Sequence, residues 1–236
     1  MYANWRSHVN AEEGEMMNKL INKNAFIQKL KDGMSIMVGG FMVCGTPEIL
    51  VDWVLESNIK HLTIICNDAG YPNEGVGKLI RSGQVDTLIA SHIGLNPEAG
   101  EKMGLGILKV KLVPQGTLVE QIRAYGAGLG GILTPTGTHT IVEEGKQVIR
   151  LNETDYLLEE AIGADLALIK ANHIDQLGNL TYSKTARNFN PMMATAANLV
   201  VCEGTELVDE IDPEVVITPH IFIDHYIIGG NQYDES

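Results

Sequence analysis

At 236 residues the chain is long enough for one large α/β domain, or at most two small ones. Hydrophobic residues make up 44% of it, enough for a substantial core, and no run approaches the roughly 20 apolar residues of a membrane span. The 17 Lys and Arg stand against 30 Asp and Glu, a formal net charge of −13, which excludes the basic stripe that nucleic acid or an anionic membrane requires.

Residues 1–15 share no periodicity with the rest of the chain and carry no apolar leader stretch. The domain is therefore expected over 16–236, with 1–15 an extension of little structural consequence and a cytoplasmic location. Met16 and Met17 open a helical pattern in which Leu20, Ile21, Phe26, Ile27 and Leu30 share one face, with Gly33 placed to stop it. From Ser35 onward short apolar runs recur: SIMVGG, HLTIICND, DTLIASHI, ILKVKLVP, ADLALIKAN, NLVVCEG and EVVIT. Most are near-continuous rather than alternating, as expected of strands covered on both faces. Helical patterns lie between them at Pro47–Ser57, Gly75–Ser82, Thr117–Ala124 and Lys184–Asn198. The alternation predicts an α/β fold: an open, mostly parallel sheet with helices on both faces. The Gly-rich stretch 126–140 interrupts it and reads as a loop shaped around something. No internal repeat is visible.

Three cysteines, Cys44, Cys66 and Cys202, have no paired spacing and sit in apolar runs, so buried free thiols in a reducing compartment are expected. They suggest no metal site. Nor do His220, His225 and Asp224, which lack a third strong ligand at useful spacing, and His92 at a strand end reads as a loop or core histidine.

Chemistry concentrates in Asp32–Pro47, DGMSIMVGGFMVCGTP. A strand runs into Gly39-Gly40, then Phe41, Met42, Val43, Cys44 and Gly45. Thr46 suits a helix N-cap, Pro47 the first helical position and Glu48 the first turn. Paired glycines let backbone approach a ligand closely, and the helix start offers N–H groups to a phosphate or carboxylate. The same segment also reads as an ordinary strand–turn–helix junction. Its spacing is not that of a dinucleotide fingerprint, and no phosphate-binding Gly-Lys-Ser/Thr motif occurs in the chain.

This segment is similar in every key position to the signature of the α subunit of family I CoA-transferases: Asp-Gly, apolar residues, Gly-Gly-Phe, three residues, then Gly-x-Pro. Further blocks agree: Asn67-Asp68 with Tyr71 to Gly75, Ser91 to Gly94 with Asn96-Pro97-Glu98, Pro114-Gln115-Gly116-Thr117, and Ala186 to Pro191. The resemblance spans about Met17 to Ile228 and is nearest the acetate/butyrate–acetoacetate subgroup.

That resemblance implies ping-pong transfer through a glutamyl-CoA thioester, with coenzyme A as substrate and no resident cofactor. The family's glutamate lies in a Ser-Glu-Asn-Gly motif on a β subunit; this chain has no Ser-Glu dipeptide. The nucleophile is thus expected from a partner in an α2β2 or larger assembly. Gly39 to Gly45 would contact CoA or the acyl thioester. Asn67 and Gln115 are candidate polar contacts in the cleft, or else turn residues bonding their own backbone. Arg187 would serve as a local cation for an anionic ligand, or pair internally. Tyr125 and Thr138-His139 replace smaller residues of the relatives, and would alter acid preference if that segment borders the acyl pocket. A different enzyme on a related α/β scaffold would need a general base or a dinucleotide fingerprint, and neither is evident. A catalytically silent binding subunit would differ in showing no turnover with a partner.

Overall fold

A computed structural model describes residues 19–229; the proposed extension over 1–15 and the helix opening at Met16 lie outside them. In chain order the elements are α1 (Lys23–Ile27), β1 (Ser35–Val38), α2 (Glu48–Ser57), β2 (Leu62–Cys66), α3 (Val76–Ser82), β3 (Val85–Ala90), α4 (Pro97–Gly104), β4 (Lys109–Leu112) and α5 (Gln115–Gly126). Beyond these come β5 (Gly131–Thr134), β6 (Val148–Leu151), β7 (Thr154–Glu160), β8 (Ala164–Asp175), β9 (Leu180–Thr181), α6 (Asn190–Met193), β10 (Ala197–Val208) and β11 (His225–Ile228).

The main sheet runs β11-β10-β8-β1-β2-β3-β4, all parallel, with β9 added antiparallel to β8. Alternate side chains of one strand feed two cores. Ile36 and Val38 of β1 join Phe26, Leu50, Val54, Leu79 and Leu88 on the α1–α4 face. Met37, between them, joins Leu118, Ile122, Ile169 and Met193 on the α5–α6 face. Burial on both faces is why these strands read as unbroken apolar runs. The α/β prediction holds.

The strand order reverses between β1 and β8. From β1 the chain winds outward through β2, β3 and β4; it then makes the small antiparallel sheet β5-β7-β6 and returns to build β8, β10 and β11 on the other side. Such a reversal leaves a crevice beyond the carboxyl ends of the two strands, where open α/β sheets bind ligands.

Several expectations fail locally. The N-terminal helix is confined to Lys23–Ile27, because the Asn22 side chain accepts the Ala25 N–H at 2.9 Å and caps it there. Just before it, Ile21 N–H donates to the Tyr226 carbonyl (3.1 Å) and Tyr226 N–H to the Lys19 carbonyl (2.9 Å), so that segment lies beside β11 instead. Lys184–Asn198 is not one helix but a 3-10 turn (Lys184–Arg187), the short α6, and the start of β10. The break falls at Asn188, whose backbone (φ 19°, ψ −122°) is not helical. EVVIT forms a 3-10 turn and a bridge to Leu180, while HYII, unmarked in the sequence, forms the outer strand β11. The Gly-rich stretch is not one loop: it ends α5, supplies β5 and then turns.

A buried ion pair between neighbouring strands also reaches across the reversal to α2. Glu203 of β10 is 2% exposed. Its Oε1 accepts from Lys170 Nζ of β8 at 2.7 Å, and its Oε2 accepts the Ile49 and Leu50 N–H groups of α2 at 2.9 and 3.3 Å. Removing one member strands the other charge, at a cost of about 3–5 kcal/mol. Glu203→Ala is therefore expected to lose about that much stability in denaturant unfolding. The double variant Glu203→Leu/Lys170→Met should recover part of it, and additive losses would refute the coupling.

Candidate active site

The loop after β1 stands at the reversal. Gly39 N–H continues the ladder to the Leu168 carbonyl of β8 at 2.9 Å. Phe41 and Cys44 then exchange backbone hydrogen bonds of 3.0 and 2.9 Å, closing a tight turn. Its central residues, Met42 and Val43, have φ of 45° and 62°. Positive φ at both central positions is the type I′ pattern, which normally calls for Gly, Asn or Asp. Phe41 and Met42 are each 41% exposed at the tip.

The segment after β9 grips this loop from the other side of the crevice. Asn188 Oδ1 accepts the Gly40 N–H at 3.2 Å, and its Nδ2 donates to the Cys44 carbonyl at 3.0 Å. Asn190, fully buried, donates from Nδ2 to the carbonyls of Gly45 (3.0 Å) and Ala186 (2.8 Å), while its Oδ1 accepts the Lys170 N–H at 3.0 Å. The need for glycine at 39 is direct: a Cβ there would overlap the Asn190 carboxamide, and one on Gly40 would overlap the Thr46 hydroxyl. A cavity of about 120 Å³ lies between the two segments, lined by Gly45, Thr46, Lys170, Asn172, Ser183 and Ala186.

The α2 N-terminus is not the anion site that its sequence suggested. Pro47, not Thr46, stands at the N-cap, and the Glu203 carboxylate takes the N–H groups of Ile49 and Leu50. By contrast α5 starts at Gln115 with Pro114 at its N-cap and no side-chain cap, beyond the carboxyl end of β4.

Asn67 and Gln115 meet, but as one structural unit. Asn67 is 1% exposed, and its Oδ1 accepts from Gln115 Nε2 (2.9 Å) and Ser91 Oγ (3.0 Å). Asn67 is thus a buried anchor that orients the exposed Gln115. Arg187 is exposed and has no ion-pair partner among the described residues. His92 is exposed. Burial is the first cause lowering the imidazole pKa of His220 and His225. The chain's own glutamates are engaged elsewhere: Glu98 with Arg81, Glu120 with Arg123, and buried Glu159 with Lys146 at 2.5 Å.

The Tyr125 ring lies against Gly163 at the end of α5, and His139 sits in an exposed turn near Glu143 (N–H to Oε2, 2.7 Å). Neither lines the two cavities beside the Gly39–Gly45 loop. The expectation of three buried thiols is also corrected: Cys44 is exposed, with Sγ 3.5 Å from Thr185 Oγ1. Burial pushes the Cys66 and Cys202 thiols well up, with Asp68 and Glu203 respectively adding to it. Asp68, Asn188, Asn190 and Glu203 build the site, yet nothing in the sequence singled out their side chains. Asn188 and Asn190 fell within a motif prized for Arg187, and Asp68 beside Asn67.

Comparison with known proteins agrees with this fold. The Coenzyme A transferase family model matches residues 20–228. The chain belongs to that family. It is 53% identical over 216 residues to acetate CoA-transferase subunit alpha of Escherichia coli K12, covering 91% of this chain and 98% of the relative. It is 50% identical over 214 residues to the acetoacetyl-CoA:acetate/butyrate CoA transferase alpha subunit of Clostridium acetobutylicum, covering 90% and 98%. The acyl-CoA transferase YdiF of E. coli O157:H7 superposes with a TM-score of 0.79 at 19% identity, over 91% of this chain and 47% of that one. Glutaconate coenzyme A-transferase of Acidaminococcus fermentans gives 0.77 at 16%, over 89% and 75%. At such identities the likeness shows a shared fold, and this chain spans about half the length of YdiF.

Two outcomes check the site. Gly39→Ala should displace Asn190 and so uncouple the loop, at a cost of about 1–3 kcal/mol for the buried groups left unpaired; unchanged unfolding would refute the contact. A thiol reagent should modify Cys44 in the native protein and reach Cys66 and Cys202 only after unfolding, whereas three fast native thiols would contradict the burial.

Proposed function

We propose that this chain is the α subunit of a heteromeric, cytoplasmic CoA-transferase that moves CoA between short-chain acyl-CoA and free carboxylates such as acetate, butyrate and acetoacetate. One observation carries the reading: the Gly39–Gly45 loop, the most family-like segment, stands at the strand-order reversal with exposed apolar side chains at its tip. The names of the two relatives near 50% identity support the substrate class and the α-subunit role. Among the described residues no helix is long and apolar enough to cross a membrane.

The chemistry is a ping-pong sequence with no resident cofactor. A glutamate carboxylate of a β subunit attacks the acyl thioester carbonyl, and CoA leaves as thiolate. The thiolate then attacks the glutamyl carbonyl of the resulting anhydride, releasing the first acid and leaving a glutamyl-CoA thioester. An incoming carboxylate reverses both steps. Splitting the transfer lowers each barrier. This subunit contributes binding and fixed dipoles: the loop for the thioester end, and Gln115 and Arg187 as polar and cationic contacts at the rim. Oriented backbone donors in a closed site stabilise developing oxyanion charge. Such an assembly is α2β2 or larger.

The test is transfer from acetoacetyl-CoA to acetate or butyrate, by this chain alone and mixed with its partner. Activity is expected only in the mixture, and borohydride added with acyl-CoA should abolish it by reducing the glutamyl thioester. Turnover by this chain alone would overturn the assignment of the nucleophile. Acyl-CoA should also slow modification of Cys44.

A further inference from the structure

The turn after β1 has a twin one strand along. After β2, residues 70–75 repeat its build: Tyr71 bridges Glu74 as Phe41 bridges Cys44, and a helix comes after each turn. Positive-φ glycines flank both, Gly40 and Gly45 in the first, Gly70 and Gly75 in the second. Only tertiary structure reveals the repeat, because the two segments share little beyond glycine and an aromatic. They lie side by side: a Cβ on Gly75 would sit 3.5 Å from Val43 Cγ1.

The twins differ in strain. Only the first places two non-glycine residues, Met42 and Val43, at positive φ. Each such residue costs on the order of 1–3 kcal/mol and persists only when neighbours over-determine it. Asp68, 8% exposed, is the neighbour that does so from the β2 side. Its Oδ2 accepts the Met42 N–H at 2.8 Å, and its Oδ1 accepts the Gly70 N–H at 3.0 Å. One carboxylate therefore clasps both turns, each oxygen taking one backbone donor. A carboxamide has one acceptor oxygen, so its NH2 would face the other N–H.

The loop's donors can then be followed one by one. Gly39, Gly40, Phe41, Met42 and Cys44 give their N–H groups to Leu168, Asn188, Cys44, Asp68 and Phe41. The N–H groups of Val43 and Gly45 have no acceptor among the described residues. They flank exposed Cys44 in a turn that its own Phe41–Cys44 hydrogen bonds and the two clasps hold in shape.

We propose that Asp68 is a positioning residue for acyl transfer: by fixing Met42 it holds the strained turn so that the Val43 and Gly45 N–H groups stand ready for the thioester oxygen. The role rests on the transfer reading above. Misplacement of such donors by about 1 Å costs on the order of 100-fold in rate.

The test compares wild type, Asp68→Asn and Asp68→Ala, each assembled with the partner subunit. Rates are expressed per site titrated as covalent thioester, alongside thermal unfolding of each assembly. Asp68→Ala is expected to lower kcat by about 10- to 100-fold with KM for acyl-CoA within about threefold. Asp68→Asn, which keeps one of the two acceptors, should fall between. A purely structural role would instead lower the unfolding temperature and the number of titratable sites while leaving kcat per site unchanged, and that result overturns the proposal. So does a kcat for Asp68→Ala within about twofold of wild type, or an Asn variant no better than the Ala variant. An inactive wild-type assembly would overturn the transfer reading and this role together; an active one with any of those results overturns the Asp68 role alone.

Discussion

The reversal of strand order between β1 and β8 is the constraint on which the rest of the molecule depends. Two parallel strands lie side by side there, but the chain leaves them toward opposite edges of the sheet. Backbone groups at that edge must find partners elsewhere, since an unpaired buried N–H or C=O is costly. The protein supplies them with side chains drawn from distant sequence: Asn188 and Asn190 from beyond β9, Glu203 from β10, and Asp68 from the end of β2. Each serves two or more backbone groups at once. The crevice is therefore a cross-braced frame rather than a gap between loops.

On the proposed function, this bracing bears on how an acidic chain would host an anionic ligand. With a net charge of −13 the general field opposes CoA, so recognition has to be local. The α2 N-terminus would be the obvious dipole for a phosphate, but Glu203 already satisfies it and is itself balanced by Lys170. On the transfer proposal, what remains is mostly uncharged and short-ranged: N–H groups on the turn after β1 and the uncapped start of α5, with Arg187 exposed in the segment that grips the turn. These act close to contact distance. Such a surface gains little from long-range steering and depends on shape.

Rigidity of the loop has a conformational cost. Val43 at φ 62° is a poor choice for turn stability alone. A glycine or asparagine would relax the turn and free it to move. The β-branched side chain instead fills space against Gly75 of the twin turn, so the strain is offset by packing and by the Asp68 and Asn188 clasps. Local chemistry that violates turn preferences, held by a network of distant groups, is what a pre-organised site requires.

The sequence by itself determined the α/β class, most strands and the main helices, because apolar runs and helical spacing are local records of burial on one or both faces. It also marked where the turn after β1 begins, since Gly-Gly after a buried strand is a short-range signal. Only the tertiary structure decided which polar residues matter. Asn67 looked like a cleft contact but is a buried anchor, while Asn188 and Asn190 in the same motif as Arg187 hold the loop. Cys44 sat in an apolar run yet is exposed, because the tight turn lifts it out. HYII became a strand and the Gly-rich stretch part of a second sheet, since pairing partners lie far away in the chain. The physical reason is the same in each case. Periodicity encodes which side faces the core, but the partner of a hydrogen-bonding group is set by topology, and here the decisive partners stand 26 to 154 residues apart.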